Sequence, residues 1–173
     1  MNVHQSKVRA TKMAQNTLAI RKKLWPTLQE AELWNRKTET GFTTIPRVMP
    51  LIIRILDDLS KGKPLGYTYL SLWCRVWDEG VVQVSNPTEL AFESGFTGER
   101  AASTWIARMR TLRDLGFIRT SGASGTQGEF QYVLLLNPLP VLKKLDQGGQ
   151  IQLTTAVALL QRANEVGAKG FDE

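Results

Sequence analysis

The stretch from Asn86 to Asn137 constrains the fold most, because signals that start and stop helices follow one another closely in it. Asn86 is a favourable helix cap, Pro87 suits a first helical turn, and Glu89 lies where its carboxylate can reach back to the cap. Ser94-Gly95 then ends the helix after about two turns, because glycine adopts the left-handed conformation at little steric cost. A short helix followed directly by another element is predicted.

A second helix is predicted to open around Thr97-Gly98, with Thr97 as its cap and Glu99 near the positive end of its dipole. Its apolar residues recur at helical spacing and predict one face against a core: Ala102, Trp105, Ile106, Met109 and Leu112. Short or basic side chains on its other side allow close approach to another surface: Arg100, Ser103, Thr104 and Ala107. Arg108 and Arg110 flank that side, within reach of phosphates.

The segment Leu115-Gly116-Phe117-Ile118 leads out of the second helix into an extended run. The break from Ser121 to Gly128 contains three glycines and no large apolar residue, which predicts a mobile hairpin tip. After the break, Phe130, Tyr132 and Leu134 alternate with Gln131, Val133 and Leu135, a pattern typical of a return strand.

This order of two helices followed by a hairpin resembles the winged-helix family of DNA-binding domains. The resemblance covers roughly residues 44–138 and rests on the element order and on the step into the hairpin at residues 115–118. It implies that the second helix enters the major groove and that the hairpin, or wing, touches the DNA backbone or minor groove. It assigns the groove contacts to Arg100, Ser103, Thr104 and Ala107, backbone contacts to Arg108 and Arg110, and wing contacts to Arg119, Ser121 and Gln127.

The rest of the chain predicts further helices around this core. They are expected at residues 10–24, at 26–35, from a cap at Thr44 through Pro46 to Leu59, at 67–78 in preference to a strand, as a short turn at 141–145, and at 151–166. Residues 81–84 are expected to form a short strand that pairs with the wing. The predicted fold class is mainly α with a small β-hairpin wing (α+β), divided into an arm at 1–43, a winged helix at 44–138 and a C-terminal segment at 139–173.

The last predicted helix has Leu153, Val157, Leu160 and either Ala163 or Asn164 on one side. Such a helix either packs back on its own domain or pairs with the same helix of a second subunit. We expect pairing, and hence a homodimer.

The positive charge of the chain is concentrated at its N terminus. The chain has a net charge of +6, and its first 25 residues hold six basic residues and no acid. The arm is therefore either an extension that grips DNA or a solvated basic helix docked on the core, and both interpretations stay open. Its candidate phosphate-binding residues are Lys7, Arg9, Lys12, Arg21, Lys22 and Lys23.

The composition excludes several classes of chemistry. One cysteine and one histidine cannot build an intrachain disulfide or a Cys/His zinc cluster, and Cys74 is expected to be a buried, inert thiol. No phosphate-binding glycine loop or activated nucleophile is visible, so neither an enzyme nor a cofactor or small-molecule ligand is expected. The absence of a long apolar run or a leader peptide predicts a cytoplasmic protein without a membrane partner.

These features predict a sequence-specific protein that binds double-stranded DNA, a bacterial-type transcriptional regulator of a mobile or plasmid element. The alternative is a winged helix that binds other proteins in a replication or partition assembly. In that alternative, only the basic arm touches DNA, without sequence preference.

Overall fold

The computed structural model describes the backbone of residues 3–122 and 128–171, and the side chains of residues 12–122 and 128–171. The chain divides into two compact units, residues 1–42 and 43–173. The second unit contains most of the secondary structure and all the buried side chains that the structure describes.

The first unit consists of helix α1 (Val3–Leu24) and a single 3-10 turn at Glu30–Glu32. α1 begins earlier than the helix predicted from residue 10, and the helix predicted at residues 26–35 is absent. The Glu32 carboxylate instead accepts the Gln29 N–H at 2.7 Å, which closes one isolated turn. The Asn35 side chain then accepts the Lys37 N–H at 3.0 Å, so the chain continues as turns rather than as a helix.

The second unit is mainly helical and has one small antiparallel sheet, which confirms the predicted α+β class. Its helices are α2 (Met49–Leu59), α3 (Gly66–Arg75), α4 (Pro87–Glu93), α5 (Ala101–Asp114), α6 (Pro138–Gln147) and α7 (Leu153–Val166). Its strands are β1 (Val81–Gln83), β2 (Ile118–Ser121) and β3 (Tyr132–Leu135).

The three strands pair in the order β1-β3-β2, so β3 lies in the middle of the sheet. Val82 pairs with Val133, and Ile118 pairs with Leu135. The predicted pairing of the short strand with the return strand is therefore confirmed. Phe130, which was expected in the return strand, lies in a 3-10 turn just before it. Its buried ring packs edge-to-face on Trp105 with centroids 6.0 Å apart, and this core contact replaces the strand position.

Helix α2 begins five residues after its predicted cap at Thr44, and Pro46 lies outside it. A helix starting at Thr44 would carry Pro50 beyond its first turn, where proline removes a hydrogen bond and clashes with the preceding turn. Starting at Met49 instead places Pro50 at a position that needs no N–H donor. At the other end of α2, the Asp57 carboxylate accepts the N–H groups of Leu65 and Gly66 at 2.7 and 2.8 Å and fixes the turn into α3.

The C-terminal helices belong to the same core as the sheet. α6 buries Leu139 and Leu142, and α7 packs on α2. The face that α7 buries shares only Ala163 with the predicted one: it consists of Thr155, Ala156, Leu159 and Ala163. Two alanines on this face allow close packing, while Leu153 and Val157 stay 78% and 43% exposed. The homodimer therefore remains a prediction. Leu153 and Val157, which were expected to form its interface, do not lie on the face that α7 buries.

Candidate nucleic-acid interface

Helices α4 and α5 form a helix-turn-helix pair through a short, well-bonded connection. The Asn86 side chain accepts the Thr88 N–H at 3.0 Å, which confirms the predicted cap of α4. Gly95 has a φ of 84°, and the N–H of Phe96 bonds to the Ala91 carbonyl at 2.9 Å across the turn. The turn residues thereby fix the direction in which α5 leaves α4.

A buried hydroxyl pair joins this motif to α3. Ser94 donates to the Leu90 carbonyl at 2.7 Å, and its oxygen lies 3.1 Å from that of Ser71. The Ser71 oxygen also lies 2.9 Å from the Thr68 carbonyl oxygen, and its single proton is donated either to that carbonyl or to Ser94. Both serines are buried, so these bonds satisfy polar groups that would otherwise be costly to remove from water.

The inner face of α5 anchors the motif in the core, close to what the sequence predicts. Trp105, Met109 and Leu112 are fully buried, and Ile106 is buried beside them. Ala102 is only half-buried, because the helix places Ala101 on the inner face instead. Four of the five predicted core positions of this helix are confirmed.

The outer flank of α5 is exposed at Arg100, Ser103 and Ala107, whereas Thr104 is half-buried. The helix starts at Ala101, after Gly98 with a φ of 80°, so Thr97 is not its cap and Arg100 stands at the N-cap position. Ser103 donates to the Arg100 carbonyl at 2.9 Å. No described residue bonds to the Arg100 guanidinium, which leaves it available at the end of the helix.

Arg108 is bonded within its own domain. Its Nε donates to the Pro64 carbonyl at 3.1 Å, and its guanidinium lies 5.6 Å from the centre of the Phe96 ring. The side chain ties α5 to the α2–α3 connection and to the turn before α5. This placement argues against the predicted phosphate contact by Arg108.

Arg110, which was also predicted to contact the DNA backbone, forms an ion pair with Glu129. Its Nε and Nη2 lie 3.2 and 3.0 Å from Glu129 Oε2, while Arg113 bonds to Glu129 Oε1. Arg113 and then Arg110 hold the pKa of the Glu129 carboxyl below its usual range, and Glu129 raises the pKa of Arg113. Sequence reasoning missed the pairing of Arg113 and Glu129. One signal in the sequence could have indicated this pairing: Glu129 is the single acidic residue between positions 115 and 145, so it is the one acid there that could pair with an arginine of α5.

Two of the predicted wing contacts lie within the described residues. Arg119 is exposed on β2, opposite Leu134, and no described residue pairs with its side chain. Ser121 is exposed at the end of β2. Gln127 and most of the predicted mobile tip lie outside the described residues.

The candidate residues of the basic arm are spread along α1. Lys12, Lys22 and Lys23 are exposed, and Arg21 forms an ion pair with Glu30. Lys7 and Arg9 fall within the bounds of α1, but their side chains lie outside the description. None of the side chains described in residues 12–42 is buried.

Two expectations about α3 and α4 are wrong. Cys74 is exposed rather than buried, because it lies on the outer side of α3 while Tyr69 and Leu72 face inward. Glu89 does not reach back to its helix cap; it bonds to Arg75, which also bonds to Glu93. Arg75 lowers the pKa of Glu93, and the two acids hold the pKa of Arg75 well above its ordinary range.

Within the described residues, no group of three or more His, Cys, Asp or Glu side chains is placed to hold a metal ion. None of the described helices combines the length and the hydropathy needed to cross a bilayer. Comparison of the chain with protein-family models, curated proteins and solved structures gave no match.

Proposed function

We propose that residues 43–171 form a winged helix-turn-helix domain that binds double-stranded DNA in a sequence-specific manner. The order α3-β1-α4-α5-β2-β3, with β3 central in the sheet, supports the likeness to winged helices. Regulation of transcription, in a mobile or plasmid element, belongs to the same proposal.

The observation that carries the proposal is the uncovered outer flank of α5. Arg100, Ser103 and Ala107 are exposed on a helix whose other face is anchored by Trp105. An arginine can bind guanine through two hydrogen bonds, while a small apolar side chain permits close approach to a thymine methyl. Arg119 on β2 adds an exposed cation from the wing, suited to a phosphate.

A second candidate function is supported by the bonds that the other arginines of α5 form within their own domain. Glu129 offsets the charge of Arg110 and Arg113, and the Pro64 carbonyl holds the Arg108 side chain within its own domain, so fewer cations of α5 are available to DNA. A winged helix that binds another protein, with unspecific DNA contact through the arm, fits this pattern. The two functions predict different responses to DNA sequence.

The experiment that separates them is selection of bound duplexes from a random pool, followed by salt titrations of binding to selected and random DNA. Sequence-specific binding predicts a selected duplex that binds at least about 10³-fold more tightly than random DNA. The alternative predicts one shared curve of affinity against salt concentration. A selected palindrome with half-sites about one helical turn apart would also support a dimer.

A further inference from the structure

A cleft of about 440 Å³ opens beside the end of α3, and its lining includes Pro46, Trp73, Val76, Trp77, Asp78 and Pro138. It contains no residue of α5 or β2, so it is separate from the outer flank of α5. Its volume lies within the range of sites for small ligands, roughly 300–1,000 Å³.

The two tryptophans of the cleft differ in exposure, because α3 ends between them. Trp73 lies in α3, where its ring meets the buried Tyr69 edge-to-face at 6.2 Å. The helix stops at Arg75, and Val76 is extended with a ψ of 141°. Trp77 therefore lies beyond the end of the helix, which was predicted to extend to residue 78, and it is 85% exposed, more than any other large apolar side chain described.

The described lining of the cleft has one charged side chain, Asp78, and no lysine or arginine. Two basic residues are close to the lining along the chain. Arg75 is held by Glu89 and Glu93 of α4, and Arg47 lines a separate cleft between α2 and α7. A carboxylate in the same lining as two indoles attracts cations and repels phosphates, which disfavours base stacking of a nucleic acid at this place.

We propose that this cleft binds an organic cation, which Trp77 contacts through its ring face and Asp78 through its charge. Indole is the most favourable aromatic face for such a cation, and quaternary ammonium and guanidinium groups share the required chemistry. The cation can be a free small molecule or the side chain of a basic peptide. In both cases Trp73 and Pro138 supply the apolar wall.

The test is a titration of the 15N-labelled full-length chain, followed by NMR through the indole N–H signals. The probes are choline, its uncharged isostere 3,3-dimethyl-1-butanol, N-acetylarginine amide and a single-stranded oligothymidylate. We expect saturable shifts of the Trp73 and Trp77 signals with the cations and not with the isostere. Tighter binding of choline assigns the site to free ammonium compounds, and tighter binding of the arginine amide assigns it to basic peptides.

Variants make the assignment specific to the cleft. Trp77→Ala and Asp78→Asn are each expected to weaken cation binding by about twofold to fivefold, because both side chains are exposed. Trp34→Ala removes an exposed tryptophan of the first unit and Glu79→Gln removes a carboxylate outside the lining, so both should bind as the parent does. Trp77→Phe keeps an aromatic face and should retain part of the affinity, and thermal unfolding checks that each variant is folded.

Three results would overturn the proposal. The first is equal binding of choline and its isostere, which would leave an apolar slot without charge recognition. The second is the absence of saturable shifts with either cation. The third is a shift of the Trp77 signal by the oligothymidylate but not by the cations, which would assign the cleft to base stacking.

Discussion

Arg110 Nη2 lies 3.0 Å from Glu129 Oε2, and this contact joins the exposed side of α5 to the 3-10 turn that precedes β3. The same carboxylate also holds Arg113. Glu129 therefore provides, from within the protein, the negatively charged partner that a DNA phosphate would otherwise offer to Arg110 and Arg113. Among the described residues of α5 and the β2–β3 hairpin, with the N-cap of α5 included, Arg100 and Arg119 are the arginines whose side chains bond to no described residue.

Replacing Glu129 with Gln is expected to increase affinity for random duplex DNA. The change frees Arg110 and Arg113 for phosphates, and two added contacts would steepen the slope of log affinity against log salt by up to about 1.8. Salt titrations measured by fluorescence anisotropy provide the readout. Glu165→Gln on α7 changes the net charge equally and is the control. An identical slope for Glu129→Gln and the control would show that the freed arginines do not reach DNA.

Replacing Arg100 with Ala should reduce affinity for a selected duplex by about 1–3 kcal/mol and affinity for random DNA only slightly. The reason is that a base-reading arginine contributes mainly where its base is present. Competition binding with the two duplexes measures the difference. Arg54→Ala, which removes an exposed cation on α2, is the matched control. Equal losses on both duplexes would contradict a base-reading role.

The ion pair of Glu129 predicts a pH dependence of stability. Its pKa is lowered in the folded chain, so its contribution is present above the unfolded value near ~4.3 and is lost as pH falls through the folded pKa. Thermal unfolding should show a constant difference between the parent and Glu129→Gln above about pH 5, and a shrinking difference in more acidic buffer. Glu99→Gln, at an exposed position without a described partner, is the control. A difference independent of pH would contradict the pairing.

Replacing Asn86 with Ala should destabilise the second unit by about 1 kcal/mol, because the Thr88 N–H loses its acceptor. Urea unfolding of both proteins measures this free energy. Asn164→Ala changes an exposed asparagine inside α7 and is expected to leave stability unchanged or slightly higher. No loss at Asn86 would mean that the cap contributes nothing beyond what water supplies.

Local signals allowed much of this fold to be predicted. The Asn86 cap and the apolar stripe of α5 follow from residues within a few positions of one another. The pairing of β1 with the hairpin joins residues about 50 positions apart, and only the resemblance to winged helices predicted it. The exposed flank of α5 follows from the same stripe, since the remaining positions must face away from the core.

The features that could not be predicted depend on contacts between distant residues or on where a helix stops. Arg110 and Glu129 are 19 positions apart and meet only because the hairpin folds back along α5. The exposure of Trp77 depends on α3 ending at Arg75, which its helical spacing does not reveal. In α7, a leucine stripe was visible, yet close packing on α2 favours the smaller alanines.

The packing of Phe130 on Trp105 has a consequence for which changes of sequence this fold can accept. The chain that leads into β3 is docked in the interior of the domain through Phe130, so part of its placement is fixed outside the stretch between Gly122 and Gly128. Insertions or deletions between those two positions should leave Arg119 where it is, while a smaller residue at position 130 should displace it. In related sequences we therefore expect variation in length before residue 128 and conservation of residue type after it.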